Sequence, residues 1–263
     1  MESQYVDVEL QQRVLTLEYR WINPDLRDGP LLVFLHEGLG SVAMWKDYPQ
    51  RLCDAGQFRG LVYSRPGYGQ STLRGATEKW PVDYLQQQAI QVLPAFLRAV
   101  GVGDSKPYLF GHSDGASIAL IYAASYPLAV SGTVVLAPHV FVEDFSLAGI
   151  MRTCEQYQNG SLKQSLARYH ADPDSGFFGW SEAWLSPAFK SWNIEGILAN
   201  MQAPLLAIQG HDDEYATMEQ LDRIKAAVPS TVLMKLTACG HTPHRDQPQL
   251  VSAAVVAFVS QHG

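Results

Sequence analysis

The sequence predicts an α/β fold built on a mostly parallel sheet of eight strands. Two kinds of segment alternate along the chain: short apolar runs typical of strands, and longer segments in which apolar residues recur at helical spacing. The chain has 263 residues, of which 47% are hydrophobic, and this is enough to bury one large core. We therefore expect a single core domain with helices on both faces of the sheet.

The strands and helices follow in order from these patterns. Segments 5–9 and 14–20 alternate apolar and polar residues, which predicts an opening hairpin, and the apolar run at 31–36 predicts the first strand buried on both faces. Further strands are predicted at 61–64, 108–111, 133–137, 204–210 and 231–236, and helices at 82–100, 115–126, 216–227 and 247–260.

Residues 139–200 interrupt this alternation. They contain no clear strand pattern and hold ten aromatic residues, so we expect a helical lid inserted after the sixth strand, with 1–138 and 201–263 forming the core domain. Two interpretations of the aromatic residues stay open. They form the core of a small helical subdomain, or they form a wall that faces a ligand, with Trp180 and Trp184 as candidate substrate contacts.

The segment that carries the chemistry follows the strand at 108–111. It reads Gly111-His112-Ser113-Asp114-Gly115 and leads into a helix, so a G-x-S-x-G pattern lies between a strand and a helix. A serine on such a tight turn projects its hydroxyl from the sheet edge, and the turn tolerates only small residues two positions away on either side. Ser113 is therefore the candidate nucleophile.

A serine nucleophile needs a base and a carboxylate that orients the base. Adjacent acidic residues 212–214 follow the strand at 204–210, and Gly240-His241 follows the strand at 231–236. The order serine, acid, histidine is the order that this turn requires. A metal site at His241 and His244 is an alternative, but the sequence shows no further ligand cluster.

These segments, with those at 35–40 and 64–71, resemble the α/β-hydrolase superfamily, in particular lidded single-domain serine esterases and meta-cleavage-product hydrolases. The resemblance implies Ser113, Asp213 and His241 as catalytic residues, since the acid lies three positions after Gly210 in similar hydrolases. It also implies an oxyanion hole formed by the backbone N–H of Gly38, together with that of Asp114.

Glu37 stands where relatives usually have glycine, and Glu37 and Asp114 both bring a carboxylate near the nucleophile. Either each is hydrogen-bonded locally, with Asp114 favoured at the N-terminus of its helix, or one of them binds a cationic or hydroxylated substrate group. His139, at the end of the strand before the lid, is a further candidate for substrate binding.

Composition limits the partners and the compartment. The net charge is −7 without a basic run, which makes nucleic acid an unexpected partner, and no apolar stretch reaches the ~18 residues of a membrane span. Three scattered cysteines favour a reducing compartment, and the N-terminus has no signal-peptide pattern, so we expect a cytoplasmic protein. A homodimer stays open.

The expected function is hydrolysis of a carboxylic ester of a small to medium, partly apolar substrate through an acyl-enzyme, without metal or cofactor. One alternative is carbon–carbon bond hydrolysis of a dienoate ring-fission product, for which Arg152 and Arg168 are candidates to hold the substrate carboxylate. Another is a non-catalytic ligand receptor on the same fold.

Overall fold

A computed structural model of the protein describes residues 2–11 and 13–263. It contains one eight-stranded sheet in the order β1-β2-β4-β3-β5-β6-β7-β8. The strands are β1 Gln4–Leu10, β2 Arg13–Ile22, β3 Leu31–Leu35, β4 Arg59–Tyr63, β5 Tyr108–His112, β6 Gly132–Leu136, β7 Leu205–Gly210 and β8 Val232–Leu236. Each corresponds to a predicted strand.

The sheet is antiparallel at one edge and parallel elsewhere. β1 pairs with β2, and β2 with β4, in antiparallel register, whereas every pair from β4 through β3 to β8 is parallel. Strands β3, β5, β6 and β7 are buried along their whole length, as their continuous apolar sequences predict. The carboxyl ends of these central strands therefore meet along one edge of the sheet.

Helices cover both faces of the sheet. They are α1 Tyr48–Gly56, α2 Tyr84–Gln87, α3 Leu93–Ala99, α4 Asp114–Ser125, α5 Asp144–Gln158, α6 Ser161–Leu166, α7 Pro173–Trp184, α8 Glu195–Leu198, α9 Glu219–Ala227, α10 Pro243–Asp246 and α11 Pro248–His262. A π-helical turn at Gln88–Val92 joins α2 to α3. Side chains of α1 and α11 belong to one apolar core and those of α2, α3, α4 and α9 to the other, so the sheet separates two cores.

The segment between β6 and β7 holds α5, α6, α7 and α8. Within the described residues, the β-structure of this segment is limited to an isolated antiparallel bridge between Phe141 and Asn193. The segment is thus helical, as the missing strand pattern predicts. Most of its aromatic residues pack on one another; the rings of Tyr157 and Phe177, for example, stack 3.6 Å apart.

Candidate active site

Ser113 lies on a strained turn between β5 and α4. Its φ of 52° and ψ of −119° fall in a region that side chains other than glycine rarely adopt. The flanking glycines make the turn sterically feasible, because a Cβ at Gly111 would lie 2.3 Å from the Gly115 oxygen, and one at Gly115 would lie 2.0 Å from the Leu35 oxygen. This explains the two glycines of the G-x-S-x-G pattern, and Ser113 consequently lines a cavity above the sheet edge.

The loops after β7 and β8 bring an acid and a base to Ser113. His241 Nε2 lies 2.9 Å from Ser113 Oγ, and His241 Nδ1 lies 2.7 Å from Asp213 Oδ1. Of the three adjacent acidic residues, only Asp213 has this contact; its side chain is fully buried, whereas Asp212 and Glu214 are exposed. The buried ring of His244 packs against Trp45 and His112, and the described residues contain no group of three or more side chains placed to hold a metal ion.

The groups around Asp213 and His241 keep Asp213 ionised and make His241 more basic than a free imidazole. Burial alone would raise the pKa of Asp213, but the His241 ring and backbone N–H donors hold it below its usual value. Burial alone would lower the pKa of His241, but the Asp213 carboxylate outweighs that effect and raises it above 6.5. The imidazole therefore accepts a proton readily and is positioned to take the Ser113 hydroxyl proton.

The turn after β3 carries Gly38, which lines the same cavity as Ser113 and Asp114. Arg65 holds this turn in place. Its Nη2 donates to the backbone oxygen of Glu37 at 2.8 Å, and its backbone N–H donates to His36 Nε2 at 3.0 Å. Trp180 packs directly over Gly38, where an added Cβ would lie 2.3 Å from the indole nitrogen. A glycine is therefore required at this position while Trp180 stays in place.

Asp114 is buried and held by partners far away in the chain. Tyr84 donates its hydroxyl to Oδ2 at 2.7 Å, Trp184 Nε1 donates to Oδ1 at 3.2 Å, and Arg65 Nη1 lies 3.6 Å from Oδ2. Burial raises the pKa of Tyr84 well above its usual value, so this hydroxyl stays a donor. Asp114 lies in the first turn of α4, where a negative charge is favoured, and its hydrogen-bond donors are side chains of other elements rather than neighbouring residues.

Glu37 has the opposite surroundings. Its side chain is 27% exposed, and among the described residues no group donates a hydrogen bond to its carboxylate. His112 Nδ1 lies 3.6 Å from Oε2, while His112 Nε2 donates to the backbone oxygen of His241 at 2.7 Å. Burial would raise the pKa of Glu37, but the neighbouring imidazoles of His112 and His36 lower it well below its usual range. Glu37 is thus ionised at the cavity.

The cavity has a volume of about 200 Å³ and is lined largely by apolar and aromatic side chains. Of the predicted substrate contacts, Glu37, His139, Trp180 and Trp184 all line it. Sequence reasoning missed Leu39, Met44 and Tyr215, and the segment between β6 and β7 adds four more residues. These additional lining residues are Ser146, Ile150, Leu162 and Leu166.

The two arginines considered for substrate carboxylate binding lie elsewhere. Arg152 is exposed and donates to the Glu214 backbone oxygen at 3.2 Å, and Arg168 is exposed and donates to Ser165. Neither lines the cavity. In the described residues, no lysine or arginine contributes to its wall, whereas two carboxylates do.

The cysteines take no part in this site. Cys53, Cys154 and Cys239 are all free thiols. Burial raises the pKa of each thiol, to about 12 for Cys53 and about 11 for Cys239. A thiol with a raised pKa is a weak nucleophile at neutral pH, so their packing as small apolar side chains accounts for them.

Comparisons of this chain with known protein families, sequences and structures agree with this fold and with a hydrolase site. The sequence profile of the alpha/beta hydrolase family matches residues 32–254. The chain belongs to this family.

No helix of the described residues has the length and apolar character needed to span a bilayer.

Two relatives and one structure illustrate the range of similar proteins. The 2-succinyl-6-hydroxy-2,4-cyclohexadiene-1-carboxylate synthase of Enterobacter sp. (strain 638) is 25% identical, with 88% of this chain and 92% of the relative covered. The 2-hydroxy-6-oxo-6-phenylhexa-2,4-dienoate hydrolase of Burkholderia cepacia is 22% identical, with 82% and 83% covered. A carboxylesterase structure from Nitrososphaera gargenis superposes with a TM-score of 0.76 at 21% identity, covering 97% of each chain. This chain is thus similar in sequence to a synthase and to a dienoate hydrolase, and in fold to a carboxylesterase.

Proposed function

We propose that the protein is a serine esterase that cleaves carboxylic esters of small to medium, partly apolar substrates through an acyl-enzyme. The observation that carries the proposal is the continuous chain of contacts from Asp213 through His241 to Ser113, beside an apolar cavity. In this proposal residues 139–200 act as a lid, because their helices supply much of the cavity wall.

The reaction proceeds in two steps, acylation of Ser113 and hydrolysis of the acyl-enzyme. His241 takes the Ser113 proton while Oγ forms a bond to the ester carbonyl carbon, and Asp213 stabilises the resulting imidazolium. The backbone N–H groups of Gly38 and Asp114 stabilise the oxyanion. The carbon–oxygen bond to the alcohol then breaks, and His241 delivers its proton to the leaving alcohol. Water, deprotonated by His241, attacks the acyl-enzyme and releases the acid and Ser113.

Carbon–carbon bond hydrolysis of a dienoate is the second candidate, favoured by the similarity to the Burkholderia cepacia enzyme. A dienoate carries a carboxylate, which needs cationic or amide donors in the site. The described cavity wall offers Glu37 and Asp114 and no lysine or arginine, so placing an anion there meets unfavourable electrostatics. The ester reaction is therefore the better-supported candidate.

The test compares purified wild type, Ser113→Ala and a matched control, Ser125→Ala, which removes an exposed hydroxyl at the far end of α4. Initial rates are measured with p-nitrophenyl acetate, butyrate and octanoate and with a dienoate ring-fission product. The esterase proposal expects ester turnover in wild type and in Ser125→Ala, and a loss of at least about 10³-fold in Ser113→Ala. Turnover of the dienoate alone would replace it with the second candidate, and inactivity of wild type on every substrate would favour a ligand receptor.

A further inference from the structure

We propose that Glu37 forms a subsite for a positively charged group, so that the preferred esters carry an ammonium group close to the scissile bond. This inference rests on the proposed esterase function and specifies its substrate class. It starts from a carboxylate that lines the cavity and receives no hydrogen bond from the described residues, although Glu37 adjoins Gly38, the proposed oxyanion donor.

The Glu37 carboxylate is charged and available. Oε2 folds back over Gly40, where an added Cβ would lie only 2.4 Å away, and faces the His112 imidazole at 3.6 Å. Among the described residues, Oε1 has no hydrogen-bond donor. A partly exposed carboxylate with an unengaged oxygen favours a cation that enters the cavity, because the attraction is stronger there than in bulk water.

Asp114 does not compete for the same cation. Tyr84, Trp184 and Arg65 already surround its carboxylate, and its exposure is only 1%. Arg65 also compensates its charge within the core. An entering ammonium group therefore meets Glu37 as the one carboxylate of the described wall that lacks a protein donor.

The rest of the wall suits an ammonium group and disfavours an anion. The rings of Trp180, Trp184 and Tyr215 line the cavity, and aromatic faces attract cations, quaternary ammonium groups in particular. Trp180 packs against Gly38, the residue next to Glu37, so an aromatic ring lies beside the turn that carries the carboxylate. The described wall holds no lysine or arginine that would repel a cation.

The experiment uses two ester pairs that differ by a charge but hardly in shape. Acetylcholine is compared with 3,3-dimethylbutyl acetate, and glycine betaine ethyl ester with ethyl 3,3-dimethylbutanoate. For each pair, the ratio of kcat/KM for the charged ester to kcat/KM for the neutral ester is measured in wild type, in Glu37→Gln and in Glu155→Gln. Glu155 is exposed on α5 and outside the cavity, so its variant carries the same change in net charge.

We expect the ratio for at least one pair to fall about tenfold in Glu37→Gln and to stay at the wild-type value in Glu155→Gln. Comparing ratios removes the intrinsic reactivity of each ester and any general effect of the substitution on the chemistry. Unchanged ratios for both pairs in Glu37→Gln would overturn the subsite while leaving the esterase function intact.

A binding measurement separates this inference from the proposed reaction. Tetramethylammonium is titrated calorimetrically into wild type, Glu37→Gln and Glu155→Gln. Saturable binding that weakens about tenfold only in Glu37→Gln supports the subsite even where no ester is turned over, which would be a failure of the esterase proposal alone. Equal affinity in all three proteins, or no binding to wild type at millimolar concentration, contradicts the subsite.

Discussion

The two carboxylates beside the nucleophile have opposite surroundings. Asp114 is 1% exposed and receives hydrogen bonds from Tyr84 and Trp184, with Arg65 alongside, whereas the Glu37 side chain is 27% exposed and receives none from the described residues. The first connects the nucleophile turn to α2 and to α7 of the segment between β6 and β7. A carboxylate near the reactive serine can thus stabilise the fold, as Asp114 does, or stay open to a ligand, as we propose for Glu37, depending on which protein donors reach it.

The largest expected effect is on stability and concerns Asp114. Asp114→Asn removes the counter-charge of the buried Arg65, whose Nε already lacks a partner, and breaking such a pair costs about 3–5 kcal/mol. Chemical denaturation with urea measures the free energy of unfolding. Glu37→Gln, the matched variant, is expected to lose less, because its partner His112 lies 3.6 Å away and the Glu37 side chain is 27% exposed to screening solvent. Equal losses in the two variants would abolish the contrast between these carboxylates.

A smaller effect is expected at Tyr84. Tyr84→Phe removes the hydroxyl that donates to Asp114 Oδ2 and accepts from Trp184 Nε1 at 2.9 Å, and the ring itself is retained. The free energy of unfolding should fall by about 1–3 kcal/mol, because a buried carboxylate loses one donor. The double variant Tyr84→Phe/Asp114→Asn should lose less than the sum of the single losses. Additive losses would show that the hydroxyl and the carboxylate act independently.

The smallest effect is on the pH dependence of catalysis. His241 must be neutral to accept the Ser113 proton, so kcat/KM should fall as the pH decreases through a midpoint above 6.5, in line with the raised pKa of His241. Glu214 and Glu37 are among the charges that raise this pKa, with Glu214 the stronger. Glu214→Gln should therefore move the midpoint to lower pH, and Glu37→Gln should move it in the same direction by less. A midpoint that rises in either variant contradicts this assignment of charges.

The sheet could be predicted from the sequence in some detail, because a strand buried on both faces is a short continuous apolar run. The segment at 31–36, for example, gives β3 Leu31–Leu35, whose residues are all buried. Helix α1 was not predicted. It buries Tyr48, Pro49, Leu52 and Cys53 between polar residues, a pattern too short to stand out from a loop.

The side-chain geometry of the site was only partly predictable. Ser113, Asp213 and His241 follow from a motif and from chain order, and the structure brings them within hydrogen-bond distance. The donors to Asp114 come from residues 30 and 70 positions away in the chain, and no local pattern records such contacts. Likewise, only two of the ten aromatic residues in the predicted lid, Trp180 and Trp184, line the cavity. Tertiary packing determines which of the ten do so, and the sequence pattern does not show it.

Covalent labelling shows whether Ser113 is the residue that becomes acylated. Wild type, Ser113→Ala and Ser125→Ala are treated with a fluorophosphonate, digested with protease and analysed by mass spectrometry. We expect one equivalent of label on the peptide that contains residue 113 in wild type and Ser125→Ala, and none in Ser113→Ala. Label on another residue, or equal labelling of Ser113→Ala, would contradict it.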